Sequence, residues 1–114
     1  MNIEIKSIFG DSIKVNDKSI PVSHLKYKGN KKNFVTWTII SESPVLSAND
    51  EVLYSLVEID IDVYSDGNYL DIVTEIKRLM KENKWRWQED SSEMYEEDTE
   101  LYHRTITFEK ERMI

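Results

Sequence analysis

The chain has 114 residues, no cysteine, and 22 acidic against 15 basic side chains, for a formal charge of −7. That length suits a single domain over residues 1–114 with a modest core, and the missing thiols exclude disulfides and thiolate metal sites. The acidic balance argues against a free-standing nucleic-acid binder, which presents a basic face.

Residues 1–19 admit two readings. Ile5, Ile8 and Phe9 suit one side of a short helix, while Ile3 and Ile5, or Ile13 and Val15 around Lys14, suit a strand or hairpin broken at Gly10 and turning at Asn16-Asp17-Lys18. Residues 19–28 read as an irregular edge strand, because Pro21 has no N–H to give a ladder. A charged turn follows at Gly29-Asn30-Lys31-Lys32. Residues 33–42 are dense in β-branched and aromatic side chains and predict a strand. Val35, Trp37 and Ile39 share one face, and Phe34, Thr36, Thr38 and Ile40 the other. Both faces are partly apolar, so this strand is either covered twice or lies at an interface. Residues 43–50 read as a loop.

In residues 52–64, Val57, Ile59, Ile61 and Val63 alternate with Glu58, Asp60, Asp62 and Tyr64, the period of a half-buried strand with an acidic outer face. Asp66-Gly67-Asn68 breaks it. The period then changes: Ile72, Val73, Ile76, Leu79 and Met80 fall on one face of a helix over about 68–82. Ser65, Asp66 or Asn68 can accept from its first amides, Asp71 sits in its first turn, and Lys77, Arg78, Lys81 and Lys84 crowd its end. Residues 84–88 predict a short strand with Trp85 and Trp87 on one side. Residues 89–98 are acidic apart from Met94-Tyr95 and read as a solvated excursion. Tyr102, Arg104, Ile106 and Phe108 then alternate with His103, Thr105, Thr107 and Glu109 in a last strand, before a frayed tail over 110–114. The sum is an α+β fold: an antiparallel sheet of about four or five strands, one principal helix on its apolar face, and a short N-terminal helix as an option.

Little in the pattern points to chemistry. His24 and His103 lie on separate strands without converging metal ligands and read as surface or interface imidazoles. Glu58, Asp60 and Asp62 could hold a divalent cation or a basic partner, but a solvated sheet face is the simpler reading. Carboxylates so close repel, which calls for a cross-strand cation, with Arg86 and Arg104 the candidates. Trp85 and Trp87 beside Arg86 suit a core or subunit interface better than base stacking in so acidic a chain. Phosphate-cradling glycine loops, nucleophile elbows and metalloprotease motifs are absent from the sequence. No catalytic, metal or cofactor residue is assigned. No apolar run approaches the roughly 20 residues of a membrane span. Residues 1–6 lack the basic start and apolar block of an export signal, so intracellular synthesis without membrane attachment is expected.

Two stretches carry a family resemblance. One is Val63-Tyr64-Ser65-Asp66-Gly67-Asn68-Tyr69 with the helix ending Ile76-Lys77-Arg78-Leu79-Met80-Lys81. The other is Tyr95-Glu96-Glu97-Asp98-Thr99-Glu100-Leu101-Tyr102-His103 leading into Arg104-Thr105-Ile106-Thr107-Phe108. With Pro21-Val22, Tyr27-Lys28-Gly29 and Phe34-Val35-Thr36-Trp37, the chain resembles, over about residues 20–110, the tail terminator (tail completion) proteins of long-tailed bacteriophages and prophages, particularly those of Gram-positive hosts. It departs from them at the start, where they open with a longer helix.

The resemblance implies a small α+β structural subunit without catalysis or cofactor. It implies assembly in the host bacterial cytoplasm as a ring, typically a hexamer, on the head-proximal end of the virion tail. Such a ring stops growth of the tail tube, contacts the tube protein and the head-completion proteins, and passes DNA through its lumen without specific binding. It points to the loop with Tyr95, Glu97 and Asp98, together with Tyr102 and His103, as one side of a subunit contact. The two-faced strand with Phe34 and Trp37 suits another, and the acidic face of Glu58, Asp60 and Asp62 suits a lumen, where negative charge limits sticking of DNA. The alternative from another class is a small acidic adaptor or regulatory domain that binds a basic protein. A third is a hydrolase whose paired carboxylates the sequence does not reveal.

Overall fold

The structure, a computed structural model, describes residues 2–46 and 52–113. In chain order it contains α1 (Asn2–Phe9), β1 (Ser12–Val15), β2 (Lys18–His24), β3 (Phe34–Leu46), β4 (Val52–Ser65), α2 (Leu70–Glu82), β5 (Arg86–Asp90), β6 (Met94–Glu96) and β7 (Leu101–Met113). The seven strands form one sheet in the order β1-β2-β3-β4-β7-β5, and β6 also pairs with β7. The fold is α+β as expected, with seven strands rather than four or five.

The alternation in β4 fixes the layering. Val57, Ile59, Ile61 and Val63 are fully buried, and the register places Ile61 level with Trp37 on β3 and Ile106 on β7. Against this face lie Ile72, Val73, Ile76 and Met80 of α2 and Ile5 and Phe9 of α1, with Ile13, Val15, Ile20 and Val22 of the β1–β2 hairpin closing one side. Each such side chain contributes roughly 1.5–3 kcal/mol by leaving water. The four-residue stripe on α2 thus clamps the helix to the core. Leu79, at the margin of the stripe, is only partly buried. At the start of α2, Asn68 Oδ1 accepts from the Leu70 N–H at 3.1 Å, and at its end the Asn83 amide donates to the Leu79 carbonyl at 2.8 Å.

Several elements differ from the sequence reading. Helix and hairpin at the N-terminus are consecutive rather than alternatives, with Gly10 (φ 64°) between them. The sheet is mixed, because Val22–His24 of β2 runs parallel to Val35–Trp37 of β3. A fully overlapping parallel pair needs a long crossover; here only three residues overlap, so the link over residues 25–33 suffices. Leu25, at φ 69°, turns the chain back. Residues 43–46, expected in a loop, continue β3, while residues 47–50 of that expected loop lie outside the described residues. The tail is not frayed through residue 113. Residues 110–113 extend β7 and pair with β4 as far as Tyr54↔Met113. Lys110 reaches Glu4 at 2.6 Å, and Arg112 reaches Glu42 at 3.3 Å. Within the acidic excursion, residues 94–96 form β6. The fourteen residues of β4, rising about 3.3 Å each, run nearly the length of a molecule measuring 52 × 26 × 23 Å. No described helix is long and apolar enough to cross a membrane.

Candidate interaction surface

The same alternation that buries four apolar residues of β4 sends Glu58, Asp60, Asp62 and Tyr64 to the opposite face, which neither helix covers. Register sets them in rungs: Phe34–Tyr64–His103, then Thr36–Asp62–Thr105, then Thr38–Asp60–Thr107 across β3, β4 and β7. The first rung is a stack. Tyr27 lies on Phe34 at 4.5 Å between ring centroids, Phe34 on Tyr64 at 4.6 Å, and Tyr64 on His103 at 4.2 Å. Offset-stacked aromatic pairs of this spacing are mutually stabilising, so the link after β2 is fastened to the open face by Tyr27.

Two of the three carboxylates of the acidic row, Asp60 and Asp62, are satisfied inside the sheet. His103 Nε2 lies 2.9 Å from Asp62 Oδ1, the Thr105 hydroxyl donates to the same oxygen, and the Thr107 hydroxyl donates to Asp60 at 2.6 Å. Partial burial raises the Asp62 carboxyl. The hydrogen bonds from His103 and Thr105 and the charge of His103 outweigh that effect and hold it below the usual aspartate range. Burial first, and then the charges of Asp62 and Glu96, push the Tyr64 hydroxyl up.

The expected cross-strand cations are elsewhere. Arg104 stands level with Val63 on the helix side, where its Nε donates to the Ser91 carbonyl at 2.9 Å. Arg86 is on the open face but one strand further out, bound to Glu109 at 3.2 Å and Glu111 at 2.6 Å. It offsets the charge of Glu109, which stands opposite Glu58. The three carboxylates of β4 are spread over successive rungs rather than converged, and no group of three or more metal-ligating side chains able to hold an ion occurs among the described residues.

The predicted interface residues divide between two places. Phe34 and His103 belong to the open face. Tyr95 and Tyr102 stand opposite each other on β6 and β7 on the helix side, 5.1 Å apart, and Tyr69 flanks Tyr102 at 6.2 Å. Glu97 and Asp98 are exposed in the turn between β6 and β7, which the Glu100 N–H closes onto the Glu96 carbonyl at 2.8 Å. At this end of the sheet Met94 and Tyr95 are 50 and 52 % exposed. Trp37 joins neither group. It is buried in the core at 3 % exposure, with His24 stacked on it at 4.1 Å.

A third surface was only partly foreseen. Trp85 and Trp87 do share a side, but Trp85 is core whereas Trp87 is 55 % exposed. With Lys77, Lys81, Arg86 and Phe108 they line a recess of about 420 Å³. Lys77 Nζ sits 4.4 Å over the Trp87 ring and 2.9 Å from Asp90, whose other oxygen takes the Trp87 indole N–H at 2.8 Å. The signal was the spacing of Lys77 and Lys81, four apart on one helix face, ahead of the Trp-Arg-Trp run. Those lysines read earlier only as partners of the helix dipole.

The fold and these surfaces define a small α+β domain with one helix-covered sheet face, one open face, and exposed aromatic residues at its rim. No protein-family model matches the sequence, and no curated protein matches it.

Proposed function

We propose that this chain is a self-associating structural subunit, the ring protein that caps the head-proximal end of a phage tail tube. In that role it stops tube polymerisation and offers its outer end to head-completion proteins. The observation that carries the reading is the β6–β7 turn. The stretch 95–103, which bears much of the resemblance to tail terminators, sets a half-exposed Tyr95 beside the exposed carboxylates of Glu97 and Asp98, and Met94 just before it is equally open. Adjacent apolar and aromatic area left open at the tip of the sheet, beside carboxylates, supports a contact surface there.

The open face supports the same reading. Asp60 and Asp62 are held by His103, Thr105 and Thr107, which leaves a fixed, negatively charged stretch of sheet suited to line a lumen that DNA crosses without adhering. The same engagement weakens the adaptor reading, since a basic partner would have to compete with bonds already made. The test is light scattering and negative-stain electron microscopy of the purified chain, alone and with the tail tube protein encoded in the same genome. A ring, free or seated on one tube end, is expected. A chain that stays monomeric and leaves tube length unchanged overturns the proposal.

A further inference from the structure

We propose that the recess around Trp87 is the docking site for the β6–β7 turn of a second copy of this chain, so that Tyr95 and the carboxylates of Glu97 and Asp98 enter between Trp87 and Lys81. This rests on the self-association reading and gives it two named, different surfaces.

The recess combines features that suit such an occupant. Its walls are mainly apolar: Trp85, Trp87, Phe108 and the stems of Lys77 and Lys81. Its rim is cationic in a chain of net charge −7. Lys77 is already bound to Asp90, whereas Lys81 is exposed and has no salt bridge among the described residues. An aromatic side chain carrying carboxylates next to it matches an indole floor with an ammonium at its edge. The β6–β7 turn has that composition, with Tyr95 half exposed and Glu97 and Asp98 exposed.

A subunit cannot fill its own recess. Tyr95 stands opposite Tyr102 and Trp87 opposite Phe108, six residues further along β7, a separation of about 20 Å. The turn and the recess thus form a heterologous pair, which repeats from copy to copy. Tyrosine, tryptophan and a charge pair at the centre are also the side chains that dominate association energies.

The test uses the full chain and four variants: Trp87→Ala, Lys81→Glu, Tyr95→Ala and Asp98→Lys. Association is followed by light scattering, and folding of each by far-ultraviolet circular dichroism melts. Trp87 and Lys81 are exposed, and Lys81→Glu leaves the aromatic walls intact, so at least one recess variant reports on docking rather than folding. Each single variant is expected to weaken self-association on the order of 10-fold or more. An equimolar mixture of Trp87→Ala and Tyr95→Ala is expected to give heterodimers, because it retains one sound recess and one sound turn. Lys81→Glu mixed with Asp98→Lys is expected to recover the association that each substitution weakens alone. A recess variant that assembles like the wild type, or a mixture that fails to complement, overturns the docking and leaves the ring reading standing. A wild-type closed dimer sensitive to both sets of substitutions supports the docking and overturns the ring. A wild-type chain that is monomeric at every concentration overturns both.

Discussion

Asp62 accepts a hydrogen bond from His103 although the two are not opposite each other: His103 is level with Tyr64, and its Nε2 reaches one rung along to Asp62 at 2.9 Å. The imidazole thereby ties the aromatic stack to the acidic row. The Thr105 hydroxyl, which is level with Asp62, binds the same oxygen.

Asp62→Asn is expected to cost roughly 1–2 kcal/mol at neutral pH, since it removes the charge from hydrogen bonds at a partly buried carboxylate. The pH dependence follows from the lowered pKa of Asp62 in the fold. Its stabilisation is complete above the unfolded value of about 3.9 and is lost as pH falls through the lower folded value. Urea unfolding of wild type and variant should therefore show a gap at pH 7 that narrows below about pH 4. An unchanged gap in acid would remove the charge from the explanation.

Tyr64 and Tyr69 are expected to ionise above the ordinary tyrosine range. Tyr64 is raised by burial and by the charges of Asp62 and Glu96; Tyr69 is raised first by its hydrogen bond to Glu93 and then by burial. For a phenol raised in the fold, stability is fully present below the unfolded value of about 10 and fades as pH climbs through the folded one. Alkaline absorbance titration of Tyr64→Phe should lose a step lying above the ordinary tyrosine value of about 10. Loss of a step at that ordinary value instead would place Tyr64 in the solvent.

Ile76→Ala should be among the most damaging single changes in α2. Ile76 is fully buried between helix and sheet, and such truncations cost about 2–5 kcal/mol. Leu70→Ala, in the first turn of the same helix but 58 % exposed, should stay within about 0.5 kcal/mol of wild type. Paired urea melts measure the contrast, and equal costs would contradict the packing of the helix.

Ile76 and Leu70 also mark what the sequence made legible. Periodicity separated the buried stripe of α2 from its solvent side, and the alternation in β4 named both sheet faces, because those signals are local and repeat several times. It located Arg104 as well: the parity that put Ile106 and Phe108 in the core put Arg104 with them, on the face away from the carboxylates it was expected to meet. Strand ends were less visible. Residues 43–46 and 110–113 are held in part by each other's neighbourhood, as in the Arg112–Glu42 pair, and such long-range pairing leaves no local pattern. The parallel β2–β3 pair depends on the backbone turn at Leu25, a residue type that gives no hint of positive φ. The recess around Trp87 needed the end of α2, the β5 register and Phe108 together. The aromatic stack could not be read because Tyr27 reaches Phe34 from an irregular segment.

Replacing Tyr95 and Asp98 together by Ala is expected to impair assembly while sparing the monomer. Tyr95 makes one tilted contact, with Tyr102, and is otherwise half in water, while Asp98 is exposed in a turn closed by the backbone of Glu96 and Glu100. Surface truncations of this kind shift monomer stability by about 0.5–1 kcal/mol. Buried in an interface, a tyrosine and a carboxylate beside it count for far more. Sedimentation should show smaller species for the double variant at a protein concentration where the wild type is assembled, with melting curves close to each other. The carboxylate share of the contact is screened by salt, so wild-type assembly should weaken as ionic strength rises, and the double variant should lose part of that dependence. Sedimentation of the double variant identical to that of the wild type, at low and at high salt, would mean that subunits meet elsewhere and that the β6–β7 turn only caps its strands.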